Sequence, residues 1–174
     1  MNAILPFISK AFYRKGEYFT KAGDYQTHIG YVVDGLFRLF YVDPKGKEYT
    51  KYFNTQGSFV VVYNSILQGQ PSYLYIQALK DSEALLINYL EWSKLADSQI
   101  CWQIFFKKLT EQTYLEKEKR ESDFLFYDAK TRYRNFIKDF PGLDKAIKQH
   151  HIASFLGISP ETLSRLKKNI DNCQ

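Results

Sequence analysis

The stretch QHHIASFLGISPETLSRLKK, Gln149 to Lys168, decides how this chain is read. Ile152, Phe155 and Leu156 fall on one face at helical spacing, and Leu163, Leu166 and Ile170 fall on another. Between the two sets lies Gly157, a residue that takes the left-handed conformation ending a helix. Ser159 offers a side-chain oxygen as N-cap. Pro160 gives up an amide that has no partner at the first helical position, and Glu161 complements the positive end of the helix dipole. Ala153 is small where the two helices would cross closely. The pattern predicts a helix-turn-helix, whose second helix, Pro160–Lys168, would enter a DNA major groove.

The outward face of that second helix supplies the chemistry. With Leu163, Leu166 and Ile170 turned inward, a period of about 3.6 residues leaves Glu161, Ser164, Arg165 and Lys168 outside. Arg165 is suited to donate a bidentate pair to guanine, and Glu161 to accept from cytosine. Ser159 and Thr162, beside the free amides of the helix start, suit phosphate oxygens. The plainer alternative, an ordinary helical hairpin inside a larger core, explains the apolar positions but not the basic face.

Charge agrees with that division. Residues 1–128 carry 15 Lys/Arg against 15 Asp/Glu, whereas residues 129–174 carry 9 against 4, so the whole net charge of +5 lies in the C-terminal part. A neutral body with a basic module is the electrostatic footprint of a nucleic-acid binder. A hydrophobic content of 45%, with 17% aromatic residues, argues for a buried core, and 174 residues leave room for one or two domains.

Other classes find little support. The apolar stretch Ala3 to Ile8 is short and broken by Pro6, so it is no signal peptide core, and Phe59 to Tyr63 is far too short for a membrane span. The expected location is the cytoplasm, with no membrane partner. Cys101 and Cys173 stand far apart, which suits free thiols in a reducing compartment. Three histidines, two of them adjacent, make no credible zinc set, and no cofactor is expected. No Ser/His/Asp set or glycine-rich phosphate loop occurs at a usable spacing, so no catalytic residue is assigned. His150 and His151 read as partner or phosphate contacts.

In chain order, a short helix through Lys10 is expected first, followed by short strands broken by turns at Gly16-Glu17, Ala22-Gly23-Asp24 and Asp34-Gly35. Asp43-Pro44-Lys45-Gly46 separates strand-like runs at Leu36 to Val42 and Glu48 to Phe53. A further pair runs from Tyr73 to Leu79 and from Ala84 to Ile87, which together predict an antiparallel barrel or jelly roll. From Glu91 the period becomes helical, with one long helix from about Ser98 to Tyr127 and Trp102, Phe105, Phe106 and Leu109 on its apolar side. A helix over Ala129 to Phe140 places Tyr133, Phe136 and Ile137 inward and Arg132, Arg134 and Lys138 outward, and Pro141-Gly142 ends it. The fold class is α+β. The domains are a β-roll over 1–95, a connecting helix over 96–127 and a helix-turn-helix domain over 128–174.

A β-roll, a long helix and a C-terminal helix-turn-helix resemble the Crp/Fnr family of bacterial transcription regulators. RKGEYFTKAG is similar to the family's first strand and turn, and GYVVDGLFRLFYVDPKGKEYTKYFNTQGSF to its strands and glycine turns. ALKDSEALLI resembles the last strands, and HIASFLGISPETLSRL the recognition motif. The resemblance implies a homodimer held by the central helix. It also implies a sensory roll controlling heads that bind double-stranded DNA, with RNA polymerase as a further partner.

Two departures from the family bear on function. Cyclic-nucleotide-binding members supply a glutamate for the ribose and an arginine for the phosphate, where this chain has Val60-Val61 and Ser72. Independently of any family, no charged residue lies between Lys51 and Lys80, so a buried phosphodiester would lack a counter-charge. Cyclic AMP is therefore not the expected effector. Tyr63, Asn64, Ser65, Ser72 and Tyr73 would line a pocket for an unidentified neutral molecule, or the roll is structural and unliganded. At the recognition helix, Pro160 replaces an arginine common in the family, and the chain stops at Gln174 before the expected β-hairpin wing. The iron–sulfur cluster of some members needs four thiolates, more than two cysteines supply. The rival reading is a signalling or interaction module with a vestigial DNA-binding domain.

Overall fold

A computed structural model describes residues 2–171, with side chains over 4–169; Cys173 lies outside the described residues. The chain forms two compact units, Met1–Lys107 and Lys108–Gln174. The boundary falls inside the long helix, which the sequence reading had set apart as a segment of its own.

The first unit begins with a 3-10 turn, Asn2–Phe7, and strand β1, Ile8–Tyr13. The expected helix through Lys10 therefore stops early: Ile8, Ser9 and Lys10 pair with Ile87, Leu86 and Leu85, because the sheet edge takes their amides. Strands β2 (Tyr18–Thr20), β3 (His28–Asp34), β4 (Leu36–Val42), β5 (Glu48–Thr55) and β6 (Phe59–Val60) follow. Helix α1 (Tyr63–Gln68) comes next, and then β7 (Tyr75–Ala78) and β8 (Ser82–Asn88). All pairings are antiparallel, in two four-stranded sheets ordered β1-β8-β3-β6 and β2-β7-β4-β5. This is the anticipated jelly-roll-like body.

Alternation along the strands explains what lies within it. Phe37 and Leu39 of β4 join Val32, Val60, Val62, Leu74, Ile76 and Ala78 in a buried core, and Tyr13, Phe19, Tyr41 and Tyr52 pack against it. Arg38 and Phe40 alternate to the other face of β4. Arg38 is buried, with Nε donating to Thr50 Oγ1 at 2.8 Å, Nη1 paired with Glu48 at 2.5 Å and its guanidinium 4.3 Å from the Phe40 ring centroid. Desolvation pushes the Arg38 pKa down, and the Glu48 carboxylate opposes the shift. The β3–β4 turn requires glycine. Gly35 has φ +138°, and a Cβ there would sit 2.4 Å from Ser82 Cβ. Ser82 Oγ accepts from the Leu36 amide across the same junction. At the β4–β5 turn, the Asp43 carbonyl accepts from Gly46 N–H while its carboxylate accepts from the Lys45 and Lys47 amides.

Helix α2 (Tyr89–Ser98) precedes α3 (Ile100–Phe126), which lies close to the long helix expected from about Ser98 to Tyr127. The Asn88 side chain caps α2 by accepting from the Leu90 amide, and extended Gln99 ends it. Trp102 and Phe106 of α3 pack against Trp92 with ring centroids 5.8 and 5.9 Å away, and Phe106 also meets Tyr63 at 5.7 Å. The apolar side expected to be available for a partner is thus partly spent within its own unit.

The second unit contains α4 (Ala129–Asp139), α5 (Leu143–Ala146), α6 (Gln149–Leu156) and α7 (Pro160–Asp171). Asp128 caps α4 by accepting from the Thr131 amide. Tyr133 and Phe136 are buried and Ile137 is half-buried. Arg132, expected to face outward, instead turns back, donating to the Tyr127 carbonyl with its guanidinium 4.9 Å from the Phe124 ring centroid. An apolar ring and an orphan carbonyl at the end of α3 together hold it better than water does.

Candidate nucleic-acid interface

The α6–α7 junction is built as a tight turn. Gly157 ends α6 at φ +67°, the Ile158 amide donates to the Ala153 carbonyl at 3.0 Å, and the Gly157 amide reaches the Ser154 carbonyl at 3.3 Å. A Cβ on residue 157 would meet the Phe124 ring at 2.7 Å, so both conformation and space demand glycine. Ser159 Oγ then accepts from the Thr162 amide at 3.2 Å, and its carbonyl accepts from Leu163 N–H at 3.0 Å. Ile152, Ala153, Phe155, Leu156 and Leu163 are buried and Leu166 is half-buried, as the spacing predicts; the side chain of Ile170 lies outside the described residues.

The outer face of α7 carries the anticipated groups. Ser159, Glu161, Ser164, Arg165 and Lys168 are exposed, and Thr162 is half-buried beside the Ser159 hydroxyl. The Ser159 side chain and the helix-start backbone amide hold the Glu161 carboxyl below its ordinary pKa, and the Arg165 charge adds to the effect. Glu161 is therefore an anion at neutral pH and lies in the field of Arg165. Lys167 is oriented differently, toward Asp144 and Tyr133, with Nζ 3.9 Å from the Asp144 carboxylate and 5.8 Å from the Tyr133 ring centroid. His151 is buried and its ring lies 4.1 Å from that of exposed His150, which places His151 among the packing residues.

In the first unit, the five residues expected to line an effector pocket differ in burial and in partners. Ser65 and Ser72 are buried, and their hydroxyls donate to the Gln70 and Leu74 carbonyls. Tyr63 turns toward Tyr89 and Phe106. Only Asn64 and Tyr73 meet, at 3.3 Å, and Tyr73 stacks on Tyr41. Lys51 Nζ lies 5.8 Å from the Tyr41 ring centroid, a cation just outside the uncharged run that defined the expectation. Its placement depends on the irregular β4–β5 pairing between Leu39 and Phe40, which local sequence does not reveal. Among the described residues, no cluster of His, Cys, Asp and Glu could hold a metal ion, and no helix is long and apolar enough to cross a membrane.

The family model of the cyclic nucleotide-binding domain matches residues 10–99. Among solved structures, FixK2 from Bradyrhizobium japonicum superposes with a TM-score of 0.82 at 18% identity, covering 95% of this chain and 85% of that one. The c-di-GMP responsive global regulator CLP of Xanthomonas campestris gives 0.75 at 16% identity, covering 98% and 90%. A Eubacterium rectale protein assigned to the crp/fnr family gives 0.77 at 15% identity, covering 98% and 81%. At these identities the likeness is one of fold. No curated protein sequence matches significantly.

Proposed function

Since residues 10–99 make this chain a member of the cyclic nucleotide-binding domain family, in the fold of the Crp/Fnr regulators, we propose that it is a DNA-binding transcription regulator. The observation that carries the reading is the two-sidedness of α7. Leu163 is wholly buried, while Glu161, Ser164, Arg165 and Lys168 stand exposed on the opposite side of a capped helix. In this reading α7 lies in the major groove, Arg165 and Glu161 meet base edges, and Ser159, Thr162, Ser164 and Lys168 hold phosphates or flanking positions. Residues 1–95 serve as a sensory roll, 96–127 as the connecting helix and 128–174 as the DNA-binding domain, working in the cytoplasm with RNA polymerase as a further partner.

A homodimer completes the proposal. Along α3, Ile100, Ile104, Tyr114, Leu115 and Leu125 are exposed and fall within about 100° of one another at 3.6 residues per turn. That stripe, not Trp102 and Phe106, is what a second copy would cover. Two copies would present two α7 helices to half-sites about one DNA turn apart.

The test is to incubate the purified full chain with sheared genomic DNA and sequence what it retains. An inverted repeat with half-site centres about 34 Å apart is the expected result. Retention without any shared sequence would remove base reading from the proposal, and no retention at low salt would remove DNA binding.

A further inference from the structure

The first unit contains an apolar cleft of about 170 Å³ outside the roll's core. Ile29, Tyr31 and Leu85 from the β1-β8-β3-β6 sheet form its floor, and Trp92, Trp102 and Phe105 form its walls. None of its lining residues is charged. The rings are arranged edge-on and tilted rather than in parallel stacks: Trp92 to Trp102 at 5.8 Å and 66°, Trp92 to Phe105 at 5.8 Å and 50°, Trp102 to Phe105 at 6.1 Å and 85°.

From these observations we infer that the cleft is a binding site for a small uncharged aromatic molecule, and that this molecule is the effector. Size sets the first limit. An engineered cavity of about 150 Å³ in another protein takes up benzene, so a space of this volume suits a single ring and little more. Charge sets the second. A carboxylate or phosphate entering a mostly apolar cleft with no charged lining residue would lose its hydration without gaining a counter-charge, which disfavours ionised ligands. The rings set the third, because edges and faces left at these angles accept another ring in a T-shaped or offset contact.

The effector role rests on the proposed reading of the chain as a regulator; the binding itself does not. Trp102 and Phe105 belong to the first two turns of α3. A ring inserted between them and Trp92 must reset the packing that fixes the start of this helix.

The chain has two tryptophans, and both line the cleft, so intrinsic emission reports on this site. Toluene should change the emission of the full chain saturably, and benzoate, similar in size but charged, should not at the same concentrations. Leu85→Phe, which fills the floor, should weaken toluene binding at least tenfold. An unsaturable toluene response, equal binding of benzoate, or undiminished binding to Leu85→Phe would each overturn the site, and the first two are read on the unaltered protein. Toluene should also shift the protein concentration at which retained DNA fragments are half-bound. Saturable toluene binding with an unchanged shift would overturn the effector role alone. Absence of DNA binding with or without toluene would instead count against the regulator reading and leave the toluene site standing.

Discussion

The guanidinium of Arg120 donates to the Phe155 carbonyl at 3.0 Å and lies 3.9 Å from the centroid of the same residue's ring. It also stands 4.9 Å from the Phe124 ring centroid. One side chain of α3 thus satisfies a carbonyl near the end of α6 and covers two rings beside it, which ties the first helix of the helix-turn-helix to the long helix. Planarity matters, since an ammonium cannot lie flat on a ring and donate to a carbonyl together.

Arg120→Ala should therefore loosen α6. Losing a charge-assisted hydrogen bond and a cation–π contact is worth about 2 kcal/mol, or roughly 30-fold faster amide exchange over residues 149–156. Arg120→Lys should recover less than half of that protection. Unchanged exchange in Arg120→Ala would make the contact incidental.

Arg165 and Lys168 should separate by kind of contact. Arg165→Ala should cost about 1–3 kcal/mol on the retained operator and relax preference at one base pair per half-site. Lys168→Ala should weaken all sequences alike and lower the salt slope by about one per subunit. Equal losses for Arg165→Ala on operator and random DNA, at one salt concentration, would make it a phosphate clamp.

Leu163→Ala acts through packing. The side chain is wholly buried, so truncation should cost about 2–5 kcal/mol, seen as a lower unfolding midpoint for the helical signal. DNA binding at low temperature should survive in proportion to the folded fraction. Loss of binding with an unchanged midpoint would mean Leu163 touches the ligand.

Cyclic AMP and cyclic GMP should give no saturable heat in calorimetric titration at micromolar concentrations. The segment from Tyr52 to Leu79 offers no counter-charge, and the hydroxyls of Ser65 and Ser72 are already bonded. If a signal appeared, Lys51→Ala would be the first variant to make, since Lys51 is the cation beside Tyr41.

The cap on α4 should give a pH signature. The Asp128 carboxyl lies below its ordinary pKa, chiefly because it accepts from the Thr131 amide. A depressed folded value stabilises the fold above the unfolded pKa of about 3.9 and loses that contribution as pH falls through the folded value. The melting temperature of Asp128→Ala should thus trail the parent at pH 7, and the gap should narrow progressively as pH falls below about 4. A gap that did not narrow as pH fell would assign the effect to something other than the carboxylate.

The helix-turn-helix was legible because every device in it is local. Gly157, Ser159 and Pro160 act within a few residues of themselves, and Leu163 repeats at helical spacing, so chain order alone carries the information. The strands from Leu36 to Thr55 were legible for the same reason, their turn being closed by Asp43 and Gly46. What escaped depends on distant partners. Lys10 is helical or extended according to whether Leu85 is there to pair with it, and Arg132 points outward unless Phe124 is near. The aromatic cleft had a visible trace, two tryptophans and two phenylalanines between residues 92 and 106, but part of its floor, Ile29 and Tyr31, comes from β3, far earlier in the chain.

Helix α3 carries one further consequence. None of its 27 residues is buried, and between Leu109 and Arg120 every side chain except half-buried Glu116 is exposed. Those three turns are held by their own backbone ladder, by local pairs such as Gln112 with Glu116, and at their end by the Lys119–Asp139 ion pair. Isolated helices of that length are marginal in water. Within one chain the segment therefore draws little stability from tertiary packing, and the second copy of the proposed homodimer would add to it. In the proposed homodimer, dilution should loosen these turns before the rest of the helix, so helical content would follow mass action.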